Sequence, residues 1–102
     1  MQQYLDLFLQ EAEEQFDVLE TEMLKLEQDP NKERLSAIFR AAHTLKGSSR
    51  AMGFSGFASL THEMENLLDL LRNDKLEVST EITDALLECL DVLREMKDSI
   101  AG

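Results

Sequence analysis

Along this chain, apolar residues recur every three or four positions in four stretches, separated by short polar breaks. In the first stretch Leu5, Phe8, Leu9, Ala12, Phe16, Leu19, Met23 and Leu26 follow that period, and acids fill the positions between. Such spacing puts one buried face on an α-helix, predicted here over about Gln3 to Glu27. Asp29-Pro30-Asn31 interrupts it, because proline has no amide donor and restricts the residue before it. Pro30 or Asn31 begins the next helix. The second stretch, about Lys32 to Met52, carries Leu35, Ile38, Phe39, Ala42, Leu45, Ser49 and Met52 on its apolar face. Gly53 is placed just past its end. Phe54-Ser55-Gly56 makes the turn, with Ser55 as the expected N-cap of a third helix that reaches about Asn73. The core face of this helix is Phe57, Leu60, Thr61, Met64, Leu67, Leu68 and Leu71, and a stripe of Ala58, His62, Glu65 and Asp69 runs beside it. Asn73-Asp74-Lys75 reads as a turn. A fourth helix starts near Ser79 or Thr80 and buries Ile82, Leu86, Cys89, Leu90, Leu93, Met96 and Ile100. No stretch alternates as a strand would. Connections of about three to five residues force sequential helices to lie antiparallel. The predicted fold is therefore all-α, an up-down-up-down four-helix bundle, with residues 1–102 as a single domain.

Charge changes this picture. The net charge of −11 argues against nucleic acid and anionic membranes as partners. Its distribution is uneven. Residues 1–30 carry nine acids and one base, and residues 54–102 carry eleven acids and four bases. Residues 31–53 hold five bases (Lys32, Arg34, Arg40, Lys46, Arg50) against the single acid Glu33. A basic island on an acidic protein creates a local field that attracts an anion. No apolar run approaches the roughly 18 residues needed to cross a membrane. The segment Met1 to Asp6 lacks the regions of a signal peptide. The one cysteine, Cys89, has no internal partner and is expected as a buried, inert thiol. These features suit the cytoplasm and a domain that is monomeric in isolation.

The candidate chemistry lies in the basic island. Arg40, His43, Gly47 and Arg50 form a row at helical spacing beside the apolar stripe. Lys46 stands one turn after His43 and can hydrogen-bond an anionic oxygen. Gly47 lies in mid-helix, where an exposed glycine costs about 1 kcal/mol relative to alanine. It reflects neutral drift, packs closely against a neighbouring helix, or clears the surface beside the imidazole. In an antiparallel pair the third helix can bring His62 or Glu65 against this row. A carboxylate that accepts the proton of one ring nitrogen leaves the other nitrogen as a nucleophile. Other chemistries lack their residues. The phosphate-loop pattern Gly-x4-Gly-Lys-Ser/Thr is absent, His62-Glu63 has no second histidine in register for zinc, and no Glu-x-x-His pair or nucleophile elbow occurs. No cofactor or metal is expected in this domain.

At these residues the chain resembles histidine-phosphotransfer domains, above all the N-terminal phosphotransfer domain of CheA-type chemotaxis histidine kinases. The resemblance rests on Phe39-Arg40-Ala41-Ala42-His43-Thr44-Leu45-Lys46-Gly47, on Met52-Gly53-Phe54, and on Thr61-His62-Glu63-Met64-Glu65-Asn66-Leu67-Leu68-Asp69. Tyr4-Leu5-Asp6-Leu7-Phe8 with Glu11-Ala12 extends it to the first helix, so it covers nearly the whole chain. It implies that His43 accepts phosphate from ATP through a separate ATP-binding kinase domain, and passes it to an aspartate on a CheY-like or CheB-like receiver. ATP and Mg belong to the kinase domain, and Mg to the receiver. Lys46, His62 and Glu65 match the polar network around the phosphorylated histidine, and Gly47 matches the access glycine. By this resemblance the module is not an autonomous enzyme but part of a histidine kinase. Ser48-Ser49-Arg50-Ala51 departs from the glycine-rich run of many CheA-type domains and is more like the modules of hybrid-kinase phosphorelays. The fifth helix that CheA-type domains tend to carry is expected to be absent. The reading of a different class is a helical adaptor that docks partners through the basic row and carries no phosphate.

Overall fold

Each polar break in the pattern becomes a helix cap. The computed structural model describes residues 2–102, with α1 (Gln2–Leu26), α2 (Lys32–Ala51), α3 (Ser55–Arg72) and α4 (Thr80–Ala101). Asn31 is extended, and its side chain accepts a hydrogen bond from the Arg34 amide at 2.8 Å, which satisfies one of the free N–H groups that open α2. Ser79 does the same for α4 by accepting from the Ile82 amide at 3.3 Å. At the end of α2, Gly53 takes φ +79°. The chain reverses there so that the Gly53 and Phe54 amides donate to the Arg50 and Ser49 carbonyls at 3.0 and 2.9 Å. Asp74, at φ 58°, ends α3 in the same way, with the Lys75 amide donating to the Leu70 carbonyl at 2.9 Å.

Two expectations are corrected. Ser55 is the first residue of α3 and not its N-cap. Phe54 holds the cap position with no side-chain bond to the helix. Its ring instead packs edge-on against Phe8, with centroids 5.2 Å apart, so apolar burial sets the turn in place of a polar cap. The α3–α4 connection is also longer than expected and covers residues 73–79. Val78 in this segment packs against the core.

The helices surround one core in the order α1, α2, α3, α4. The α2–α3 pair is the most extensively packed and α3–α4 the least. Ala12, Phe16, Leu19, Met23, Ile38, Leu45, Leu68, Leu86 and Leu93 are fully buried. Phe57 of α3 reaches across to Phe8 and Phe16 of α1. The bundle measures 41 × 20 × 19 Å. Cys89 is partly buried rather than fully so. Burial and the neighbouring Glu63 and Glu88 push its thiol up, which keeps it protonated and inert at neutral pH.

The α2 cap is open to direct test. Asn31→Ala is expected to lower the unfolding free energy by about 1 kcal/mol, read from the urea midpoint at constant slope.

Candidate functional site

The close pairing of α2 and α3 decides what surrounds His43. The imidazole sits on the outer edge of α2, with its side chain 63% exposed. Glu65 rises from the facing side of α3 and is only 6% exposed. Its Oε1 lies 2.5 Å from His43 Nδ1, and its Oε2 lies 2.5 Å from Lys46 Nζ. A single buried carboxylate thus binds two groups that stand one turn apart on α2.

The geometry fixes the chemistry of the ring. The ionised carboxylate can only accept, so Nδ1 carries the proton. In the neutral ring Nε2 then holds the lone pair, on the ring edge away from the Glu65 contact. Burial by itself pushes the Glu65 carboxyl up. Hydrogen bonds from Lys46 and His43, together with their charge, outweigh burial and hold it below the usual carboxylate value. Lys46 is 15% exposed and tethered to Glu65. It is therefore a positioned ammonium with N–H donors to spare.

Gly47 is exposed, and a Cβ built on it would meet no atom within 4 Å. Close packing against a neighbouring helix is thereby excluded as the reason for this glycine. Arg40, His43, Gly47 and Arg50 all face solvent, as their spacing predicts. His62 is exposed one turn before Glu65, and among the described residues no hydrogen bond or ion pair involves its side chain. The structure brings together His43, Glu65 and Lys46, and leaves His62 outside this network.

The sequence reading missed two further neighbours. The Phe39 and His43 rings are nearly parallel, at 9° with centroids 6.1 Å apart. The Arg72 guanidinium carbon lies 4.2 Å from the Phe39 centroid. The i, i+4 spacing of Phe39 and His43 was the available signal. Arg72 stands two turns beyond Glu65 on the same face of α3, so the antiparallel register that pairs Glu65 with His43 also carries Arg72 to Phe39. Among the described residues no cluster of three or more His, Cys, Asp or Glu side chains could hold a metal ion, and no helix is long and apolar enough to cross a membrane.

An all-helical bundle with an exposed imidazole, its Nδ1 held by a buried carboxylate that also binds an ammonium, defines a class of histidine-presenting domains. The chain belongs to the Hpt domain family, whose sequence profile matches residues 3–96. It is 48% identical over 101 residues to the chemotaxis protein CheA of Bacillus subtilis, a match covering 98% of this chain and 15% of that protein. The corresponding protein of Halobacterium salinarum is 43% identical over 101 residues, covering 98% of this chain and 15% of the relative. The chain thus spans about a seventh of the length of these curated relatives. The CheA phosphotransferase domain from Thermotoga maritima superposes with a TM-score of 0.93 at 37% identity, covering 98% of this chain and 96% of that one. The phosphorylated P1 domain of CheA3, solved in complex with CheY6 from R. sphaeroides, superposes at 0.92 with 31% identity, covering 99% of this chain and 80% of that one.

The Glu65 network makes a pH prediction. A carboxyl held below its unfolded value contributes stability that is complete above the ordinary carboxylate range and is lost as pH falls through the lowered folded value. Glu65→Gln is expected to cost about 2 kcal/mol at neutral pH. The gap to wild type should close in acid, as measured by urea unfolding across pH.

Proposed function

We propose that this domain is a phosphoryl carrier in chemotaxis signalling, with His43 as the phosphorylated residue. The observation that carries the reading is the His43–Glu65 hydrogen bond on Nδ1, which in the neutral ring puts the lone pair on Nε2 of a mostly exposed imidazole. In the first step the Nε2 lone pair forms a bond to the γ-phosphorus of ATP held with Mg by a separate kinase domain. The bond from phosphorus to the bridging oxygen breaks, and ADP leaves with that electron pair. The ring keeps its Nδ1 proton and becomes positive, and the Glu65 carboxylate offsets the charge. In the second step an aspartate oxygen of a CheY-like or CheB-like receiver, with its own Mg, bonds to phosphorus. The N–P bond breaks, and its electron pair returns to Nε2. Lys46 is placed to donate to a phosphoryl oxygen without leaving Glu65. The open surface at Gly47 lets both partners approach. Donor and acceptor thus use the same face in turn.

The likeness to CheA proteins and to a P1 domain solved with CheY6 supports a receiver partner and the chemotaxis setting over a hybrid-kinase relay. A soluble, cytoplasmic and monomeric module within a larger kinase fits this reading, as does the basic row around His43 for docking an acidic receiver site. The adaptor reading explains the basic row but gives no role to a buried carboxylate aimed at one ring nitrogen.

A CheA kinase core with radiolabelled ATP is expected to label the wild-type chain, with a label labile in acid and stable in base as a phosphoramidate should be. His43→Gln should abolish it. Labelling of that variant at the wild-type level would leave the adaptor as the better account. Gly47→Glu is expected to keep the helical circular dichroism of wild type while slowing transfer about tenfold or more, because a bulky anion then stands beside Nε2. An unchanged rate would remove the access role of the glycine.

A further inference from the structure

One hydrogen bond does not fix an aromatic ring. The bond from Nδ1 to Glu65 sets the position of one ring atom and leaves the ring free to rock about that contact. The imidazole is mostly exposed, so few atoms oppose that motion. What does oppose it is the Phe39 ring, which lies nearly parallel to the imidazole. Offset parallel rings attract through their quadrupoles, and a flat neighbour holds a plane where a hydrogen bond holds a point. Phe39 is itself held. It is partly buried against the core, and the Arg72 guanidinium lies over its ring within cation–π range. Asp69, one turn before Arg72, has Oδ1 at 3.6 Å from Arg72 Nη1 and orients the guanidinium.

From this arrangement we propose that Phe39 is a positioning residue for phosphoryl transfer. Its ring sets the plane of the His43 imidazole and so the direction in which Nε2 points, and Arg72 acts through it. The proposal rests on the carrier reading of His43. In this view α3 controls the imidazole twice, through Glu65 directly and through Arg72 by way of Phe39. The two contacts do different work. Glu65 decides which nitrogen is the nucleophile, and Phe39 decides where that nitrogen aims. In-line attack on phosphorus needs both.

The test combines ring dynamics with transfer rate on the whole chain. In wild type the ring relaxation order parameter of His43 is expected to approach that of rigid backbone, about 0.85. In Phe39→Leu it should fall below about 0.6, while labelling by a CheA kinase core with ATP slows about threefold to tenfold. The Nδ1–H tautomer, read from the ring nitrogen shifts, should persist, because Glu65 is untouched. Phe39→Tyr keeps the flat face and should restore both the order parameter and the rate. Arg72→Gln should move both in the same direction as Phe39→Leu by a smaller factor. A folded Phe39→Leu protein with a rigid imidazole, or with a loosened imidazole and an unchanged rate, overturns the proposal. A slow rate that Phe39→Tyr does not rescue also overturns it, since that marks general loss of packing. Failure of the carrier reading looks different: wild type itself takes no label, while the ring dynamics still report whether Phe39 holds the plane.

Discussion

One buried carboxylate ties this molecule's fold to its chemistry. Glu65 sits where an isolated charge would be costly, and two donors from α2 make the position tenable. Both donors belong to one helix and the acceptor to its neighbour, so the contact specifies register as well as charge state. Slipping α3 by one residue would turn its side chains by about 100° and leave the carboxylate, the ammonium and the imidazole without partners. The interaction therefore selects one α2–α3 alignment among those that the apolar stripes would tolerate. The same alignment carries Arg72 to Phe39, so both α3 contacts that bear on the imidazole depend on it.

The surrounding structure supplies rigidity at low cost to access. The core is filled by large aliphatic and aromatic side chains, and the hydroxyls it encloses bond to nearby backbone, as Thr61 does to the Phe57 and Ala58 carbonyls. Beside Gly47, Ser48 donates to Glu11 and pins α1 to the α2 surface. At the other end Arg34 joins Glu22 of α1 to the loop carbonyl of Asp29. The element that presents His43 is thus braced on both sides, and the one direction left open is solvent.

Most of this architecture was legible in the sequence. Helix periodicity located all four elements, and Pro30, Gly53 and Ser79 marked their ends, because backbone sterics and missing donors act locally. The α3 start was misread because Phe54 is anchored by a ring in α1, a contact that no local rule contains. At the site, the spacing of His43, Lys46 and Gly47 showed which residues share a face, and antiparallel pairing made Glu65 a candidate for His43. Sequence favoured Glu65 over His62 as the proton acceptor but could not show the contact. They stand one turn apart on α3, and only the actual crossing of the two helices brings the second into reach. Nor could it show that Glu65 serves Lys46 as well, since charge pairing across helices depends on side-chain reach and burial.

Gly47 stands in the interior of α2. A glycine within a helix interior lowers stability by about 1 kcal/mol relative to alanine. A compensating gain inside the fold would show as close backbone approach or a side chain occupying the vacated space. Neither exists: a Cβ there would meet open space. Its backbone is helical, so the unusual conformations open to glycine are not needed either. The cost is therefore not recovered within this chain. What the missing side chain leaves is open surface one turn from the exposed imidazole, which is where the proposed transfer partners would approach.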